Sequence, residues 1–508
     1  MSERVHNVTR NFFLGGIAKI LMIVFPFITK TIFIKLLGEE YLGISGLFSS
    51  ILTLLNMSEL GLSYVVVYSL YKPIADKDNS EIASLLEFYK GLYRKIALFI
   101  AVVGAALIPF LGFFVNSPIP LNELRVYYLL YLLDQVASYL YIWKSTLIEA
   151  DQKMYIVTAA KTAFTIGMQV AQMIVLLATH NFLLYLITQL TFTILNNVYV
   201  SWRADQMYAD INKAEKHPLP KEQKQQIFSD VRSYFTYKIG GVFLNSTDSL
   251  YISKMINTRT VGYYSNYLSL SSALTTFSSF IDQSLIHTVG DYNVNHTQKE
   301  KKQLFDELVL LFTFVGVVLA CGFWGVSSSI IQAWLGDRFM VDQMTVFAMS
   351  MNIFIPIMLY PVWMYRNTTG MFRQTRDILL YAGICNLFLS YILGKRMGLA
   401  GILLATSLSR VLTSFWFEPY ILFKYMFKDY HLSGYFISVI KAFFTALLSC
   451  FIYSRVIVYV GITGWLGVLV RIIISAAISL ILLVLVNFLN PNFMGLMRMM
   501  KSALHRRK

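Results

Sequence analysis

Apolar residues run along this chain in long blocks separated by short polar breaks. About fourteen blocks approach or exceed the roughly 20 residues that a helix needs to cross a bilayer. They are 11–37, 41–71, 88–115, 121–148, 155–179, 181–203, 231–256, 260–290, 304–335, 341–365, 376–394, 398–424, 434–459 and 463–488. Little of the chain alternates apolar and polar positions between turn residues, which argues against a β-barrel. The longest break, 204–230 (ADQMYADINKAEKHPLPKEQKQQIFSD), is charged, contains Pro218 and Pro220, and reads as a linker between two halves.

The halves align with one another. At an offset of 219 residues, FIKLLGEEYLGISGLFSSILTLLNMSELG from Phe33 lies over ISKMINTRTVGYYSNYLSLSSALTTFSSF from Ile252, placing Gly43 on Gly262 and Phe48 on Tyr267. The polar loop at Asp76 falls on the loop at Asn295, and with one added residue Trp143 falls on Trp363. Near-constant offsets over such a length point to six spans plus six in parallel repeats, as in transporters built from internal repeats. The predicted fold class is an all-α polytopic membrane protein with two pseudo-symmetric six-helix bundles and an extra C-terminal helix pair. The predicted domains are an N-terminal bundle over 1–203, a cytoplasmic linker over 204–230, a second bundle over 231–428, and the extra pair with a basic tail over 429–508.

Composition supports the membrane reading. Of 508 residues 56% are hydrophobic and 14% charged, against roughly 25% charged in soluble domains. Net charge is +15, which in a soluble chain suggests nucleic acid. Here its distribution explains it. If both termini are cytoplasmic, the outer connections hold only Arg125, Arg259, Arg338, Lys395 and Arg396 of the 43 Lys and Arg, and most of the others lie on the inner side. That is the positive-inside pattern, so no nucleic-acid partner is expected. Cys321, Cys385 and Cys450 sit in separate apolar runs and read as small buried hydrophobes. No His cluster, Gly-rich phosphate loop or nucleophile motif stands in the short outer connections. A non-enzyme with no metal or cofactor is expected.

The layout resembles the polysaccharide transporter branch of the multidrug/oligosaccharidyl-lipid/polysaccharide exporter superfamily. The run Leu42 to Lys77, LGISGLFSSILTLLNMSELGLSYVVVYSLYKPIADK, is similar to the second span of Wzx-type flippases of capsule and exopolysaccharide clusters. The resemblance implies a flippase in the bacterial plasma membrane that moves undecaprenyl-diphosphate-linked oligosaccharide repeat units from the inner to the outer leaflet. It also implies membrane lipids, proton or sodium coupling, and polysaccharide polymerase and glycosyltransferases as partners. A flippase for lipid II or a teichoic-acid-type precursor, or a multidrug or cation antiporter of the same superfamily, is the alternative.

A charge at bilayer depth costs about 2.5–3.5 kcal/mol on insertion scales, so each one needs a reason. Lys19 and Lys30 lie 11 residues apart in the first span, close to three helical turns, and share a face about 16 Å long. Lys19 falls on Lys238 in the repeat, so the leading helix of each half carries a Lys at matching depth. These side chains suit the diphosphate of a lipid carrier; snorkelling to the headgroups is the alternative. Lys161, on a face with Thr165 and Gln172, and Arg410, on a stripe with Thr406 and Thr413, complete the candidate cationic set. Glu59, Asp134, Asp248 and Asp282 are intramembrane acids that either bind a coupling ion or pair structurally.

Overall fold

The computed structural model describes residues 25–56, 62–151, 153–222, 224, 225, 227, 228, 240–244, 246–375 and 377–495. Among these residues all regular structure is helical, and eight helices are long and apolar enough to cross a membrane. The protein is a multi-pass, all-helical membrane protein. It forms two compact units. The first holds the described residues up to Val242 together with Asn257–Gly262; the second holds Phe243–Ile256 and everything from Tyr263.

In the first unit, α1 (25–37) leads through Gly38, at φ 87°, into α2 (Glu39–Leu55). Then follow α3 (Leu62–Asp76), α4 (Asn79–Leu107, continuing after one tight turn to Phe114), α5 (Leu121–Tyr139), α6 (Ile142–Ala150), α7 (Met154–Thr179), α8 (Phe182–Met207) and the short α9 (Ala209–Lys213). Local chemistry sets the ends. The Asp78 side chain accepts from the Glu81 amide at 2.9 Å, so α4 begins two turns before its apolar block. Asn181 caps α8 in the same way. The predicted span 121–148 is interrupted at 139–141, where helical hydrogen bonding stops and restarts as α6. The linker segment after α8 lies on this unit: the Ser80 hydroxyl donates to the Glu215 carbonyl at 2.7 Å, and the His217 amide donates to the Ser84 hydroxyl at 2.8 Å.

The second unit runs α10 (Asp248–Met255), α11 (from Tyr263, on a helix that begins at Thr258 and ends at Asn295), α12 (Gln298–Leu335), α13 (Gln343–Thr369), α14 (Ile378–Leu412), α15 (Ser414–Tyr425), α16 (Ser433–Val456) and α17 (Gly464–Asn487). A capping box between Thr297 and Glu300 starts α12. Asp342 caps α13, and Gly370 at φ 72° ends it. The predicted break between 394 and 398 falls at Gly398, whose φ of 58° and ψ of −133° turn the chain inside α14; a residue with a Cβ would be strained there. The span predicted over 398–424 breaks again at Thr413. Ser409 and Thr413 both turn their hydroxyls back onto carbonyls one turn earlier, a habit that bends helices.

Helix α13 is the most enclosed membrane helix of this unit, with apolar residues buried nearly all round. The C-terminal pair docks on α12. Tyr453 packs over Gly325, where an added Cβ would come within 2.6 Å of its ring, and donates to the Gly325 carbonyl at 2.8 Å. One turn away, Cys450 Sγ lies 3.4 Å from Cys321 Sγ, so two cysteines far apart in sequence are neighbours. Copper-phenanthroline oxidation in membranes is expected to link Cys321 to Cys450, protecting both from maleimide after denaturation while Cys385 stays reactive. Full labelling of all three cysteines after oxidation would contradict this docking of α16.

Candidate functional site

Three constellations of polar groups stand out against the apolar helices, each inside one unit. The first is a reciprocal backbone contact. Gly43 on α2 faces the Thr258 carbonyl, where a Cβ would collide with the oxygen. Gly262 faces the Glu39 carbonyl, where a Cβ would lie 2.7 Å from the oxygen and 3.1 Å from the Gly43 nitrogen. Thr258, fully buried, exchanges two hydrogen bonds with Asn116: its amide donates to the Asn116 carbonyl at 3.1 Å and its hydroxyl accepts from the Asn116 amide at 2.9 Å. Beside it the Arg259 Nε donates to Glu40 at 2.9 Å, and Ser117 donates to the same carboxylate at 3.3 Å. Glu40 and Arg259 are 219 residues apart, as are Glu39 and Thr258, and Gly43 and Gly262. The contact therefore joins residues that the repeat makes equivalent. Arg259 is half exposed, so the ion pair itself contributes at most about 1 kcal/mol; the glycines set the closeness.

The second constellation surrounds Asp248 at the start of α10. The carboxylate is buried and accepts from the hydroxyls of Thr406 (3.4 Å) and Tyr264. Asn386 donates to Thr406 Oγ1 at 3.0 Å and to the Leu244 carbonyl at 2.9 Å, and Ser390 donates to Asn386 Oδ1 at 2.6 Å. None of these described partners is a cation. A buried carboxylate without a counter-charge is costly unless a proton or a small cation accompanies it. Asn386 turns its amide nitrogen to Thr406 and its Oδ1 to Ser390, so the oxygens brought to the carboxylate are the hydroxyls of Thr406 and Tyr264.

The third constellation is ionic. Arg366 Nη1 lies 3.3 Å from Glu418 Oε1, both side chains almost fully buried, and the Trp363 indole N–H donates to the other oxygen of the same carboxylate. Arg410 is also buried, and its charge acts on Glu418 and on Tyr360. Tyr360 in turn lies 3.4 Å from Ser278. Breaking such a pair is expensive because it leaves a charge uncompensated.

The predicted site residues distribute across these features unevenly. Lys19, Lys238 and Glu59 lie outside the described residues. Lys30 is half-buried on α1. Lys161 and Thr165 line one cavity of about 350 Å³ in the first unit, with Ser145, Asn196 and Asn197. Gln172, expected on the same face, instead reaches the Tyr185 carbonyl at 3.4 Å. Asp134 accepts from Gln189 at 2.8 Å, while its other oxygen has no hydrogen-bond partner among the described residues. Asp282 is likewise left with an unbonded buried oxygen. Asp248 meets Thr406, and Arg410 acts on Glu418 through its charge, the direct ion pair of Glu418 being to Arg366. Arg366, Trp363 and Asn386 are not among the site residues that the sequence marks. Asn386 and Ser390, one turn apart on an apolar span, carry a readable signal. Arg366 does not, because its apolar block ends at 365, whereas α13 continues to Thr369.

Solved structures show which known proteins share this architecture. A lipid II flippase, MurJ, in an inward closed conformation, superposes with a TM-score of 0.73 at 14% identity, covering 94% of this chain and 99% of its own. The fold is that of these transporters. An inward-facing multidrug resistance MATE family transporter of the MOP superfamily matches at TM-score 0.61 and 12% identity, over 76% of this chain and 92% of its own. A mutant of the Vibrio cholerae MATE transporter VcmN matches at 0.55 and 11%, over 82% and 95%. No protein-family model and no curated protein sequence matches the chain. The transporter fold thus stands on architecture, and it is shared with a flippase over nearly its whole length.

Proposed function

We propose that the chain is a flippase that carries an undecaprenyl-diphosphate-linked oligosaccharide across the bacterial plasma membrane by alternating access, both termini being cytoplasmic. The observation that carries this reading is coverage: the flippase fold extends over 94% of the chain, whereas the MATE likeness covers 76–82%. In this reading Lys19 and Lys238 receive the diphosphate, with Lys30, Lys161 and Arg410 as further cationic contacts for the headgroup. Asp248 takes up the coupling proton or sodium ion, since its oxygen partners offer it no other charge. Capsule or exopolysaccharide polymerase and glycosyltransferases act before and after it. Lipid II as the cargo is the second reading, favoured by the TM-score of 0.73 to a lipid II flippase.

The test is lipid extraction and mass spectrometry of a deletion strain. Complete lipid-linked repeat units are expected to accumulate and to clear when wild-type protein is restored. Their mass distinguishes a capsule-type unit from lipid II. Asp248→Asn is expected to insert normally and to leave at least about tenfold more precursor than wild type, because it removes the ionisable group from a site whose described partners carry no charge. Normal precursor levels in the deletion strain would rule out both flippase readings and direct attention to drug or cation efflux.

A further inference from the structure

We infer that the first unit carries a separate binding site for a phosphorylated lipid headgroup, in the pocket between the start of α4, the α5–α6 break, the end of α8 and the linker strap. The pocket has a volume of about 300 Å³. Its wall carries four cationic side chains, Lys90, Arg94, Lys144 and Lys216, against two carboxylates, Glu87 and Asp205. The carboxylates are already engaged: Lys216 lies 3.0 Å and Lys90 3.5 Å from Glu87, and Lys144 lies 2.5 Å from Asp205. Arg94 is exposed and has no ion-pair partner among the described residues. The pocket therefore presents two positive charges in excess, one of them on a side chain whose planar fork suits phosphate oxygens.

Trp143 forms the aromatic side, with Lys90 Nζ 5.6 Å and Lys144 Nζ 5.3 Å from its ring centroid. These contacts hold both ammonium groups toward the pocket. The linker closes one side through its contacts to Ser80, Ser84 and Glu87.

Two observations make the ligand an amphiphile rather than a free anion. Leu140 and Tyr141 at the α5–α6 break line the pocket and are both exposed. On α4, Leu98 and Val102 follow Arg94 at steps of one turn, on its face, and are 63% and 59% exposed. An apolar stripe thus leads from the basic pocket along a membrane helix, as a headgroup with its hydrocarbon chain requires. Basic pockets between membrane helices are a recognised form of lipid headgroup site. The headgroup belongs either to bulk anionic phospholipid or to a polyprenyl diphosphate. The inference concerns binding only and does not depend on what the protein transports.

Native mass spectrometry of the full-length protein in detergent tests it, with phosphatidylglycerol, undecaprenyl diphosphate, phosphatidylcholine and inorganic diphosphate as probes. One or both anionic lipids are expected to be retained, and phosphatidylcholine is not. The double variant Lys90→Gln/Arg94→Gln is expected to lower retention about tenfold, while Lys424→Gln, in the second unit, leaves it unchanged. Whichever anionic lipid depends more strongly on Lys90 and Arg94 identifies the source. Both positions are at the pocket surface, so the elution profile and thermal midpoint of the double variant should match wild type. Retention unaffected by the double variant, or equal for phosphatidylcholine, would overturn the site. Inorganic diphosphate displacing the lipid at equal concentration would overturn its amphiphile character.

Discussion

Arg366→Met is expected to destabilise the second unit by about 3–5 kcal/mol, the scale for removing one partner of a buried ion pair. The loss would appear as a large drop in thermal midpoint in detergent and in folded yield. Glu418 has no solvent access, so its carboxylate cannot recover by hydration what it loses in charge. The Trp363 indole and the more remote Arg410 remain, but a single indole N–H replaces little of a guanidinium. The double variant Arg366→Met/Glu418→Gln should regain much of the loss, because it removes the orphaned charge while keeping an acceptor for Trp363. A midpoint for Arg366→Met equal to wild type would show that the pair is not the anchor of α13 to α15.

Gly43→Ala and Gly262→Ala are expected to have the second largest effect, about 1–3 kcal/mol each from overpacking. The obstacle in each case is a backbone carbonyl, of Thr258 or of Glu39, which cannot rotate away as a side chain would. Gly91→Ala is the control. A Cβ there meets nothing within 4 Å, and alanine favours a helix over glycine by about 1 kcal/mol, so it should be neutral or stabilising. Arg259→Gln beside the same contact should cost less than about 1 kcal/mol. Thermal midpoints for the four variants decide the matter: if Gly43→Ala behaves as Gly91→Ala does, the close approach of α2 to the 257–262 segment is not what the structure describes.

Much of the fold was legible because the signal for a membrane helix is crude: length and apolarity suffice, and neighbours are not needed. The turn near 395–397 could be placed for the same reason, and Gly398 supplies its backbone geometry. The breaks at 139–141 and Thr413 were not legible, because they lie inside continuous apolar runs and depend on back-bonding hydroxyls and partners elsewhere in the unit. The polar sites divide similarly. Asp248 announced itself as an acid at membrane depth, but its connection to Thr406 spans 158 residues and follows from packing alone. Arg366 looked like a loop base until α13 proved to extend past it. The offset of 219 marked Gly43 and Gly262 as equivalent, yet said nothing of their touching.

The ion pair beside that contact breaks the symmetry of the two segments. Two identical segments related by a twofold axis must place the same residue type opposite itself at equivalent positions. A symmetric pair of that kind at 40 and 259 would set glutamate against glutamate or arginine against arginine, and either would repel. Glutamate facing arginine at equivalent positions is available only to segments free to differ. This small salt bridge is thus a contact that a symmetric pair of identical segments could not make.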